Sequence, residues 1–398
     1  MHPYPAKLLP NIPFFFLNNE ILSKPGELIV DPFCGSGTVL VEALLADRRA
    51  IGFDCNPIAA LLSNVKTTAV ETGKIKRGLR SIIARSREES PTPWPEVVNM
   101  RHWFYPKTAD SLSQLKVAIS KIRNLDLRNF FMLCFSACIR KVSLADPKVS
   151  VPVRLRRDQY KRGHPLEKSV QRRLKSLRNI DVFEVFEAVV EQNCNRIAKL
   201  LPYAKSKRAT ATVDDCRNYQ KIMKRGSASL IITSPPYVGA QKYVRATSLS
   251  LNWLDFCSPR QLRDFDKKTI GREHYRKAEY STTTLSTCIE ANRLLAKIRH
   301  VNPLRAHIAA SYLNEMEQVL AAMFGMLRPG GHVVLVTGNN QICDLPFPTT
   351  DYLLKLAVAQ GFKIRLQLVD DIRSWGLMTK RNRTASTISR EWVTILVK

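Results

Sequence analysis

The part of this chain with the fewest folding solutions is LIVDPFCGSGTVLVEALLADRR, residues 28–49. An apolar triplet stops at Asp31, Gly35 and Gly37 follow at once, and an apolar-periodic segment then runs on to two arginines. Strand, tight turn and helix in that order open a doubly wound α/β domain. Glycine suits such a turn because the backbone must bend sharply and approach a ligand with no Cβ in the way. A second strand over 50–54 ends on Asp54, whose carboxylate can accept both hydrogens of a ribose diol. Dinucleotide-binding domains use the same device. This chain departs from them at Leu40, which stands where G-x-G-x-x-G has its last glycine.

Strand-like runs then lapse and return. Residues 70–208 read as a basic, helical insert. Strands are expected again over 209–213, 229–233, 332–338, 362–369 and 392–398, with helices over 312–327 and 350–360 between them. LRPGG, 327–331, reads as a helix stop and turn. Seven strands with intervening helices predict an α/β fold with a mostly parallel sheet covered on both faces. The domain limits expected are 1–69, 70–208 and 209–398.

Lysine and arginine outnumber the acids 62 to 34, a net charge of +28, which points to a polyanionic partner. Much of the excess lies between Arg140 and Arg178, where thirteen Lys/Arg face three acids. The nine cysteines form no CxxC pair, so reduced thiols are expected and no metal. Cys134 and Cys138 fit packed core thiols. The longest apolar run, around 130–139, carries polar residues and fits a core helix, with no membrane span. With no export signal, a cytoplasmic location is expected.

The other constraining motif is Thr233-Ser234-Pro235-Pro236-Tyr237, at the end of an apolar run. It sets a hydroxyl, two rigid prolines and an aromatic ring at a strand tip. Such a tip can hold a flat, amine-bearing base. Taken with DPFCGSGT, it resembles the amino-methyltransferases that act on DNA bases with S-adenosyl-L-methionine. Phe33-Cys34-Gly35-Ser36-Gly37 is similar to that family's FxGxG loop, and serine before PPY to its cytosine-N(4) type. The resemblance implies a Rossmann-like, AdoMet-dependent methyltransferase fold with a large helical insert. It implies Asp31, Phe33, Cys34, Gly35, Gly37, Thr38, Asp54 and Asn56 at the cofactor, with Lys7 near its carboxylate and Asp214 or Asp215 at its adenine. Ser234, Pro235, Pro236 and Tyr237 would form the catalytic tip.

The resemblance further implies double-stranded DNA as substrate, with Arg154, Arg156, Arg157, Lys161, Arg162, Lys242 and Arg245 as candidate contacts. The motif order resembles the α-type arrangement, so target recognition is expected inside the chain and not at either end. No PD-(D/E)xK constellation is present, so cleavage in a restriction-modification system would fall to a separate endonuclease. Adenine N(6), then guanine N(2) in tRNA, are the competing targets. A nucleic-acid-binding protein that keeps the fold without the chemistry is the competing class.

Overall fold

The computed structural model describes residues 1–5, 7–161, 163–203, 208–239, 242–372 and 390–398. The chain divides into a sheet unit, residues 6–55, 208–242 and 264–398, and a helical unit, residues 1–5, 56–207 and 243–263.

The sheet unit carries β1 (Leu28–Asp31), β2 (Arg49–Asp54), β3 (Ala209–Val213), β4 (Ala228–Thr233) and β5 (Leu327–Thr337). A small hairpin, β6 (Asn340–Ile342) and β7 (Leu345–Phe347), precedes β8 (Lys363–Asp371) and β9 (Arg390–Val397). Seven strands form one sheet in the order β3-β2-β1-β4-β5-β9-β8. The first five pair in parallel, while β9 runs antiparallel to both β5 and β8. This is the expected α/β fold. From β1 the chain builds outward to β2 and β3 on one side, then returns to lay β4 on the other. The carboxyl ends of β1 and β4 therefore flank the switch point, where open α/β sheets hold their ligands. All six residues of β4 are buried, as a strand covered on both faces requires.

One expectation fails locally. LRPGG is not a turn that precedes β5 but its first five residues, and the ladder with β4 slips between Ala228 and Leu230 to take them in. The sequence signal was real, since Gly330 has φ +70°; it marks an irregularity within the strand and not its boundary.

The helical unit is larger than residues 70–208. The helix Pro57–Thr67 buries nine of its eleven residues and packs on Leu125–Val142 and Tyr243–Trp253, so it joins this unit. Trp253 sits at the centre, edge-on to Phe104 and Phe135 at 5.7 and 6.1 Å. Cys134 and Cys138 are fully buried in the same core. No described helix is long and apolar enough to cross a membrane.

Gly52 in β2 fixes how closely the loop after β1 can lie on the sheet. A Cβ there would stand 2.7 Å from Cys34 Cβ, 2.9 Å from its Sγ and 3.0 Å from Leu40 Cδ1. Gly52→Ala should therefore destabilise the fold by about 1–3 kcal/mol, as overpacking does. A urea-unfolding midpoint equal to wild type would show that the loop yields.

Candidate cofactor and base site

Two carboxylates organise the glycine loop. Asp31 closes β1, is 4% exposed, and through Oδ1 accepts from the Phe33 amide at 3.1 Å and the Thr233 hydroxyl at 2.7 Å. Asp54 closes β2, and its Oδ2 accepts from the Gly35 amide at 3.0 Å. The Cys34 amide donates to the Phe53 carbonyl at 2.9 Å, so the loop folds back over the β2 tip. Gly35 and Gly37 hold φ of +44° and +73°, which explains why both are glycine. Gly37 caps the helix Thr38–Leu45, and the Thr38 hydroxyl lies 3.2 Å from that of Ser36. Phe33 is half-buried and Cys34 buried.

At the β3 tip the two candidate acids separate. Asp215 caps the turn Cys216–Lys221 and pairs with Arg217 through both oxygens. Asp214 engages the Asp215 amide and Asn218 through Oδ1. Asp215 is thus committed to structure. Asn56 is committed as well: its carbonyl caps the helix Pro57–Thr67 by accepting from the Ile58 amide, and its amide donates to the Thr247 hydroxyl, both at 3.0 Å. Lys7 is exposed.

These groups suit a cofactor that is cationic and lacks phosphate. No lysine or arginine occurs from Asp31 to Thr38, and acids end or follow three neighbouring strands. Burial pushes the Asp31 carboxyl up to about 7 against the pull of its Thr233 and Phe33 donors, and Asp54 adds to the rise. The glycine loop offers a pyrophosphate no cation, and the acids can accept from ribose hydroxyls and an adenine amine.

The second motif leaves β4 directly beside this loop. Pro235 is buried, while Ser234, Pro236 and Tyr237 are half-buried. Among the described residues, these attachments hold the segment. Thr233 is tied to Asp31, Asn340 donates to the Val238 carbonyl at 3.0 Å, and the Tyr237 hydroxyl donates to Glu391 Oε1 at 2.7 Å. Sequence reading missed Asn340 and Glu391, which stand in no motif. Thr233 was inside one, but its bond to Asp31 depends on the pairing of β1 with β4.

The basic candidates divide. In the helical unit Arg156, Arg157 and Lys161 are exposed on one loop, and Arg162 lies outside the described residues. Arg154 is half-buried, 3.3 Å from His102 Nδ1. Arg140 and Arg173 turn inward, donating to the carbonyls of Asp146 and Lys141, so the basic run is partly structural. Arg245 is exposed in the helical unit, whereas Lys242 belongs to the sheet unit and pairs with Glu273 at 3.3 Å.

A carboxyl raised on folding contributes stability that is complete below its unfolded value and is lost as pH climbs through its folded value. For Asp31 that window runs from about 4 to about 7. Asp31→Asn should flatten the loss of stability across it, a difference of a few kcal/mol for a group this buried. Parallel pH–stability curves for wild type and variant would show that Asp31 ionises without penalty.

Residues 20–64, which hold β1, the glycine loop and β2, match the family described as DNA methylase of the N6/N4 class. The type II methyltransferase M.MvaI of Kocuria varians is 23% identical over 372 residues, covering 87% of this chain and 78% of that protein. M.MjaII of Methanocaldococcus jannaschii, also a type II methyltransferase, is 33% identical over 90 residues, 23% of this chain and 17% of that one. A solved chain from Thermus thermophilus, a candidate DNA modification methylase, shares 16% identity over 46% of this chain and 52% of its own, with a TM-score of 0.24. DNA methylases of this family use S-adenosylmethionine. The matched loop segment is similar to the N6/N4 DNA methylases, and the alignment that runs through most of the chain is to a type II methyltransferase.

Proposed function

We propose that the chain is a DNA methyltransferase of a type II restriction-modification system that methylates the N(4) amine of cytosine, with cleavage carried by a separate endonuclease. The observation that carries this reading is the bond from Thr233 to Asp31, which sets the serine-bearing tip beside the glycine loop. The similarity to M.MvaI supports the type II assignment, and Ser234 the choice of cytosine.

The chemistry follows from the amine. Its lone pair is delocalised into the ring, so it attacks poorly until its hydrogens are drawn out of plane. Ser234 Oγ and the Pro235 carbonyl accept those two hydrogens, and the prolines keep the two acceptors rigid. Tyr237 stacks on the base, which must leave the duplex to be reached. S-adenosylmethionine, when bound, supplies a methyl group on a positively charged sulfur. Asp54 and Asp214 would accept from its ribose and adenine, and the glycine loop would hold it at the strand tips. Acceptors that strengthen as the amine gains positive charge favour the transition state over the ground state. Arg156, Arg157 and Lys161 contact phosphate, positioning the duplex without reading it.

Ser234→Ala should lower the rate of transfer roughly 100- to 1,000-fold, the effect of losing one such preorganised group, with cofactor and DNA affinity within a few-fold of wild type. With tritiated cofactor, wild type should label N(4)-methylcytosine; label in N(6)-methyladenine would overturn the base, and label only in tRNA would overturn DNA. Neutralising Arg156, Arg157 and Lys161 together should reduce the slope of log affinity against log salt by about 2.7, from three lost phosphate contacts. An unchanged slope would make that loop a solvated face.

A further inference from the structure

Glu391 combines burial, charge and place in a way the reaction above does not use. It is the second residue of β9, opposite Asp370 of β8. Because β9 runs antiparallel, its first residues lie at the edge where the parallel strands end: Thr337, the last residue of β5, pairs with Trp392. Glu391 therefore reaches the Tyr237 hydroxyl at 2.7 Å although β5 separates β4 from β9. Among the described residues no lysine or arginine forms an ion pair with it. Burial raises its carboxyl above the usual range, the tyrosine donor opposes that rise, and Asp370 adds to it. A carboxyl held this way costs free energy that an apolar side chain would not.

The bond does to Tyr237 what stacking demands. A tyrosine ring turns about two side-chain torsions, and a fixed partner at its far end restrains both. A ring left loose beside a pocket must be ordered when the base arrives, and a shift of about 1 Å can lower a rate on the order of 100-fold. We propose that Glu391 is a positioning residue for methyl transfer, its carboxyl holding the Tyr237 ring in the plane on which the extruded base stacks. The inference rests on the reading of residues 233–237 as the base-binding tip, and it holds for cytosine or adenine alike.

Single-turnover transfer of tritiated methyl groups to unmethylated plasmid DNA tests it, with cofactor affinity by calorimetry and unfolding midpoints measured in parallel. Glu391→Ala should slow transfer roughly 10- to 100-fold with cofactor affinity unchanged. Glu391→Gln should restore it to within a few-fold, because the amide oxygen still accepts from the phenol. Tyr237→Phe should match Glu391→Ala, and the two together should be no worse than either alone, since both remove one bond. A wild-type rate in folded Glu391→Ala, a Gln variant as slow as the Ala variant, or losses that multiply in the double variant would each overturn the proposal. Should Glu391→Ala fail to fold, Tyr237→Phe decides: it must be slowed, and adding Glu391→Gln must slow it no further. Tyr237→Ala separates the two readings. Full activity there sinks the base-binding tip itself, whereas an inactive Tyr237→Ala beside a fully active Glu391→Ala sinks only the positioning role.

Discussion

A single buried hydrogen bond, from the Thr233 hydroxyl to the Asp31 carboxyl, sets the two halves of the site in register. It joins the ends of β1 and β4, the strands between which the sheet changes its direction of winding. The same oxygen of Asp31 also receives the Phe33 amide, so the strand tip, the start of the glycine loop and the residue before Ser234 share one acceptor. The groups placed on either side inherit their spacing from it. Its strength comes from its surroundings, because in a dry, low-dielectric site such a bond is stronger than in water and more damaging when broken.

Around that bond the charges divide by position in the fold. The carboxyl ends of β1, β2 and β3 are acidic, and the loop between them carries no cation. The exposed cations considered for phosphate sit mainly on a separate loop of the helical unit. A net charge of +28 would suggest a molecule basic throughout, yet the strand tips carry acids and the glycine loop no cation. Net charge names the class of partner, and local charge decides what each surface can hold.

The strand–turn–helix opening and the tip after β4 were legible in the sequence because both are local. Each needs only neighbouring residues to reveal it, a positive-φ glycine or a proline pair. What escaped depends on partners that no motif names, some two residues away and others far along the chain. Asn56 follows the acid of β2 and so looked like a ligand, but the helix it begins needs its side chain as a cap. Asp214 and Asp215 were equivalent until Arg217 claimed one of them. The glycines of LRPGG signalled a bend, and only the ladder with β4 shows that the bend lies inside a strand. The helix Pro57–Thr67 follows β2 as a crossover helix would, yet its burial ties it to the helical unit. No local pattern distinguishes Glu391 from any other strand glutamate.

Those separations bear on how the protein is made. Thr233 and Asp31 are 202 positions apart, and Glu391 and Tyr237 are 154 apart. Contacts of that range form late, since long loops must close before they are rewarded. While synthesis proceeds from the N-terminus, both short motifs leave the ribosome well before β9 exists to pair with β5. A product that stopped short of β9 would display every residue by which such a site is recognised and still lack the tyrosine's partner. In this fold, possession of the motifs and possession of an assembled site are separate properties, and the final strand divides them.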